Sequence, residues 1–190
     1  PEPESKRNPG PWRIDVKRHI SFCNQLGSID EAMAVLPVIV APDPRLKVKC
    51  TPIDSVDESI RKLMDDMLDS MHDHNGIGLA APQVGSHKRV IVMDIAPKDG
   101  PGNPIKLGNP EVIWHSDEEI LSEEGCLSLP TYYADVNRPE RVKVKYLDYD
   151  NQPQEIDAEG LFAVCIQHEI DHLDGILFVD HISLLKRKMI

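Results

Sequence analysis

The run Leu161-Phe162-Ala163-Val164-Cys165-Ile166 is apolar on every side of a helix, and the helical pattern continues to Leu173, with Gly175 placed as a stop. A helix without a polar face must be buried, so the rest of the fold has to be built around it. Into that helix the sequence puts His168-Glu169-Ile170-Asp171-His172, the H-E-x-x-H pattern of metal hydrolases. Four residues advance a helix by about 400°, which stands the two imidazoles on one face, about 6 Å apart along the axis, where they can share an ion. Glu169 projects roughly 100° away, near such an ion but not stacked on it, where a carboxylate can take a proton from an attacking water. On an exposed helix, two histidines so spaced are ordinarily just solvated. In this chain the wholly apolar turn before them would carry three polar groups into a low-dielectric interior, at a cost on the order of several kcal/mol unless a metal or hydrogen bonds compensate.

A catalytic metal site ordinarily takes three protein ligands and keeps one position open. Cys165 lies three residues before His168 on the same face. It is seven residues from His172, about 10.5 Å along a helix, whereas a Cys and a His sharing one ion span roughly 8 Å between their Cβ atoms. Packing beside the site is therefore the role expected of Cys165. Cys126 remains, in Glu124-Gly125-Cys126-Leu127-Ser128, where Gly125 permits a sharp backbone path bringing a thiolate and a free backbone N–H to one point. A buried free cysteine is usually only a small hydrophobe, so the residues alone leave the third ligand open.

The clearest amphipathic helix comes earlier. Val56, Ile60, Leu63, Met64, Met67, Leu68 and Met71 fall on one face of a 3.6-residue period, and Ser55 with Glu58 suits a capping box at its start. Its methionines are expected to pack in the core. Residues 89–95 read as a short buried strand and residues 112–114 as another. Val142, Val144 and Tyr146 alternate with Lys143 and Lys145, predicting a half-exposed strand that turns at residues 150–153 and returns through residues 155–158. This order predicts an α+β domain, mixed or antiparallel sheets packed around a buried central helix that carries H-E-x-x-H.

At 190 residues the chain has room for one ordinary domain. Residues 1–32 are loop-like, with no sustained period, and are expected to be an extension to a core over residues 33–190. The net charge of -11 argues against a broad nucleic-acid-binding face, which needs clustered Lys and Arg, so no DNA partner is expected. No apolar run approaches the length of a membrane span, and the first residues lack a signal-peptide core. They also mix acids with bases, unlike a transit peptide, so a cytoplasmic location is expected. Four cysteines are too few for a disulfide scaffold.

Three segments together carry a resemblance. Gly76-Ile77-Gly78-Leu79-Ala80-Ala81-Pro82-Gln83, Glu124-Gly125-Cys126-Leu127-Ser128 and Gln167-His168-Glu169-Ile170-Asp171-His172 resemble, in this order and spacing, the three signature motifs of peptide deformylases, and the similarity runs over about residues 33–185. Gly76, Gly78 and Ala81 also satisfy a dinucleotide fingerprint, but that fingerprint needs a strand before it and a helix after it, the reverse of the order in this chain. The resemblance implies a metallohydrolase acting on a linear amide, which removes the formyl group from the N-terminal formyl-methionine of nascent proteins and releases formate. It implies that Cys126, His168 and His172 bind one divalent ion, Fe2+ with Zn, Ni or Co as substitutes, and that Glu169 is the general base and acid. It implies that the Gln83 side chain and the Leu127 backbone N–H hold the formyl oxygen. The substrate methionine would enter a pocket near Gly76, Ile77, Gly78, Leu161, Val164 and Cys165. Asp171 is the candidate to orient a ligating histidine. Lys186-Arg187-Lys188 offers a transient ribosome contact, although three basic residues in a row are ordinarily just solvated. Two rival readings are a metallopeptidase using the same H-E-x-x-H chemistry and an inactive relative with a structural metal. The thiolate ligand and the glycine-rich motif weigh against the first; the intact Glu169 weighs against the second, because a structural site needs no base.

Overall fold

The computed structural model describes residues 35–95 and 102–188; the extension expected over residues 1–32 lies outside the described residues. In chain order the elements are α1 (Glu58–Asp73), β1 (Gly78–Ala80), β2 (Val90–Met93), β3 (Ile105–His115), β4 (Glu119–Cys126) and β5 (Leu129–Pro139). They continue with β6 (Arg141–Leu147), β7 (Pro153–Glu159), α2 (Gly160–Leu173) and the short α3 (Leu184–Arg187). Five strands form one sheet in the order β1-β2-β3-β6-β7, and β4 pairs with β5 as a separate two-stranded sheet. Every one of these strand pairs is antiparallel, the second of the two sheet types that the sequence leaves open.

The larger sheet is sandwiched at its β1–β2 end. Val90 and Val92 pack with the Ile60, Met64, Met67 and Met71 stripe of α1, while Ile91 and Met93 pack with Ile166, Ile170 and Leu173 of α2. All four β2 side chains are fully buried, which is why the strand reads as an unbroken apolar run rather than an alternation. Each of the three buried methionines of α1 removes enough apolar surface to contribute about 1.5–3 kcal/mol.

The start of α1 differs from the expected capping box. Asp57 is the N-cap, its Oδ1 accepting from Ile60 N at 2.9 Å. Val56 stays outside the helix because its N–H is held by Asn151 Oδ1 at 2.7 Å, in the turn between β6 and β7; its side chain is buried nonetheless. The apolar stripe therefore begins two residues before the helix does, and the cap lies inside it.

In α2, Ala163, Val164, Cys165 and Ile166 are fully buried, whereas Leu161 and Phe162 in its first turn are only half-buried. Gly175 ends the helix region with φ +73°, its N–H donating to His172 O at 3.1 Å. A Cβ there would lie 2.6 Å from Lys47 O, so both the backbone conformation and the space call for glycine. Periodicity gives no sign of the β4–β5 hairpin. It packs on Leu46, Leu177, Phe178 and Val179 through Val136, and its own strands show no apolar alternation.

Candidate metal centre

Helix α2 presents His168 and His172 from one face, and the end of β4 brings Cys126 to them. The candidate ligand atoms of the three residues all lie within 4.8 Å of one another. Cys126 Sγ is 3.2 Å from His172 Nε2, and the two imidazole rings stand edge to face with centroids 4.9 Å apart. His168 Nδ1 is 2.7 Å from Glu124 Oε2, a contact that leaves Nε2 for the cluster. Gly125 remains within β4. The irregularity expected of it falls on the partner strand, where register jumps from Gly125 opposite Tyr133 to Cys126 opposite Leu129, and Thr131 takes φ +72°.

A soft thiolate and two imidazoles converging from separate elements are a donor set for a divalent transition metal, with the fourth position left over. The protonation of the cluster agrees. Burial works against a charge on His168, but hydrogen bonds to Cys126 and Glu124 outweigh it and raise that group well above its ordinary value. Burial, reinforced by the charge of His168, holds His172 well below its ordinary value, in the neutral form.

Glu169 is buried on the adjacent face, and its Oε2 has no hydrogen-bond partner. Burial pushes its carboxyl up to about 7, the charge of His168 opposing and that of Glu124 adding. Room for this carboxylate comes from Gly78: a Cβ at that position would press on Glu169 Cδ at 2.9 Å and on Cys165 Sγ at 3.0 Å. Gln83 sits in a 3-10 turn over Ala81–Val84 and is 2% exposed. Its Oε1 accepts from Ala80 N at 2.8 Å, and its Nε2 donates to Ser128 Oγ at 3.2 Å and to Cys126 Sγ at 3.5 Å.

The cleft over this cluster is lined by Gly76, Ile77 and Gly78 on the β1 side, Gln83 and Leu127 beside the thiol, and Glu169 at the base, with Leu129 to Tyr133 of β5 opposite. Leu161, Val164 and Cys165, expected in the same pocket, are not among its lining residues. Val164 and Cys165 are fully buried behind it, and the Cys165 thiol, raised well above its ordinary value by burial, lies 3.8 Å from Ile77 O.

The sequence points to Asp171 as the residue that orients a ligand histidine. In the structure Glu124 makes that contact, and Asp171 instead takes Arg138 Nη1 at 2.7 Å and His181 Nε2 at 2.7 Å. Arg138 is a further member of the site that sequence reasoning passes over. It is 4% exposed and forks onto Glu124, with Nε to Oε1 at 2.6 Å and Nη2 to Oε2 at 3.0 Å. Burial alone would raise Glu124; hydrogen bonds from His168 and Arg138 overcome it and hold the carboxyl at about 2. No local signal points to Arg138, because its value comes from a partner on another strand.

The family model described as polypeptide deformylase matches residues 35–188. A peptide deformylase of Phenylobacterium zucineum is 54% identical over 156 residues, covering 82% of this chain and 92% of that protein. One from Methylocella silvestris is 52% identical over 161 residues, covering 83% of this chain and 82% of that protein. Among solved structures, peptide deformylase from Ehrlichia chaffeensis in complex with actinonin superposes with a TM-score of 0.79 at 43% identity, covering 83% of this chain and 94% of that one. The Met-Ala-Ser bound class I type b peptide deformylase from Acinetobacter baumannii gives 0.75 at 40% identity, covering 80% of this chain and 100% of that one.

Proposed function

The chain belongs to the polypeptide deformylase family, and on that premise we propose that Cys126, His168 and His172 hold one divalent ion at which the chain hydrolyses N-formyl-methionyl nascent peptides to formate and a free N-terminal amine. The observation that carries this reading is the thiol and two imidazoles within 4.8 Å beside a buried carboxylate with an unpartnered oxygen. When bound, the ion supplies Lewis-acid polarisation of the carbonyl and acidifies water near neutral pH. Ferrous ion is our choice, with zinc, nickel and cobalt as substitutes for the same donors.

The chain's own residues do the rest. β1 is an edge strand, and the run Gly76-Ile77-Gly78 leading into it lines the cleft, so an extended peptide can lie alongside its backbone. The substrate methionine faces Ile77, with Leu161, Val164 and Cys165 as the apolar backing of that wall. The Gln83 amide and the Leu127 backbone N–H face the formyl oxygen, where negative charge grows as water attacks, and so bind the transition state more strongly than the substrate. Glu169 takes the proton of the attacking water and returns it to the nitrogen as the C–N bond breaks. Its raised proton affinity suits a group that must do both near neutral pH.

Residues 33–190 are, in this reading, the catalytic domain and residues 1–32 an addition to it. Work on nascent chains places the protein in the cytoplasm, and Lys186-Arg187-Lys188 is the segment offered to the ribosome. No helix among the described residues is long and apolar enough to cross a membrane. The decisive assay incubates anaerobically purified, metal-analysed protein with formyl-Met-Ala-Ser and with unformylated Met-Ala-Ser. Formate release from the first, with the second left intact, is expected. Cleavage of an internal bond without formate would replace this reading with a metallopeptidase.

A further inference from the structure

Ser128 sits in the two-residue turn between β4 and β5, is fully buried, and has no task in the reaction above. It shares that turn with Leu127 and follows Cys126 by two positions, so its backbone is fixed by the same hairpin. Its carbonyl is fixed too, accepting from Ala41 N at 2.8 Å.

We propose that Ser128 is a positioning residue that aims the Gln83 amide. A primary amide is planar, with one acceptor oxygen and two N–H groups whose directions are locked to one another. Gln83 Oε1 is held by Ala80 N–H, and one N–H of Nε2 is taken by Ser128 Oγ. With those two corners pinned, the second N–H has one direction left: toward Cys126 Sγ, 3.5 Å away, and the cleft space beside it. The last torsion of a glutamine is intrinsically broad, so without the hydroxyl the amide can rock away from the oxygen it must meet. Ser128 thus orders the donor before substrate arrives, which is where an oxyanion donor gains its advantage. This rests on Gln83 facing the formyl oxygen, as proposed above.

The test is a double-mutant cycle on metal-loaded protein with formyl-Met-Ala-Ser, measuring kcat, KM and metal content for S128A, Q83A and the double variant. S128A is expected to lower kcat about tenfold, the factor carried by one ordinary hydrogen bond, at unchanged KM and metal content. Q83A should lose roughly a hundredfold or more, and adding S128A to it should cost less than about twofold further, because the group being aimed is gone. Wild-type kcat in S128A, or a full additional loss in the Q83A background, overturns the proposal; so does a fall that tracks lost metal, which makes Ser128 a brace for the ligand turn. If S128A does not fold, S128C puts a somewhat larger side chain with only a weak acceptor in place of the hydroxyl, and carries the same expectations. Unimpaired turnover in Q83A would instead strike the proposed role of Gln83, whereas a crippled Q83A beside a normal S128A removes only the positioning role of Ser128.

Discussion

Helix α2 and the β4–β5 hairpin face each other across the candidate metal centre and both supply candidate ligands, yet they are held by different forces. α2 is fixed by apolar packing: Ile166, Ile170 and Leu173 on one flank of the sheet, with the α1 methionines filling the other. The hairpin is fixed next to the site by charge, through the Arg138 fork onto Glu124 and the further bond from Arg138 to Asp171 on α2. Apolar packing tolerates small displacements at graded cost. A buried ion pair does not, because removing one partner leaves the other charge without compensation. The same divide explains what can be read in advance, since hydrophobic period is written along a segment and charge pairing is written across segments.

The comparison breaks first at the chemistry. Glu169→Ala on α2 is expected to lower formate release about a thousandfold while metal content stays near wild type, as measured by elemental analysis beside the assay. Cys126→Ala on the hairpin should lose the metal itself; full metal retention in that variant would remove Cys126 from the ligand set.

Stability separates the two walls next. Arg138→Leu takes the guanidinium from buried Glu124 and from Asp171, leaving each only its histidine contact, for which a loss of about 3–5 kcal/mol in urea unfolding is expected, together with weaker metal retention as the His168 contact loosens. Met67→Ala in the apolar wall should cost about 2–5 kcal/mol with metal affinity unchanged. Equal effects of the two variants on metal affinity would erase the distinction between the walls.

Acid sharpens it last. Glu124 is held at about 2 against an ordinary 4.5, so the folded state binds its proton less readily than the unfolded chain does. The stabilisation that results is fully present above the unfolded value and is lost as pH falls from about 4.5 toward about 2. Urea midpoints of wild type and Glu124→Gln should therefore converge over that range, and a constant separation would show that the ion pair is not what titrates.

Much of the α2 wall is legible in the sequence. The apolar run of residues 161–166 is unbroken, the stripe from Ile60 to Met71 repeats at the helical period, and β2 is short and wholly apolar, so the hydrophobic pattern along the chain locates all three. The hairpin is not legible, because Leu121 is 65% exposed and two of the buried positions near the site, Glu124 and Arg138, are charged. The same blindness misassigns Asp171: the contact to His168 comes from Glu124 on a strand, and Asp171 meets Arg138 and His181 instead. Likewise Asp57 escapes notice as a cap because it lies inside the apolar stripe rather than before it. The ligands themselves come from motif resemblance plus helix geometry, and the cross-strand network behind them comes from neither.

The candidate ligand atoms of Cys126 and His172 belong to residues 46 positions apart, one on each wall. An ion gripping both is a staple between two parts of the molecule that are otherwise joined beside the site by charge. Since it binds only the folded arrangement, a thousandfold excess over its dissociation constant adds about 4 kcal/mol, so the melting temperature becomes a gauge of free metal concentration. A chelator would then act as a mild denaturant aimed at one side of the protein, and limited proteolysis should nick the hairpin before the helical core gives way.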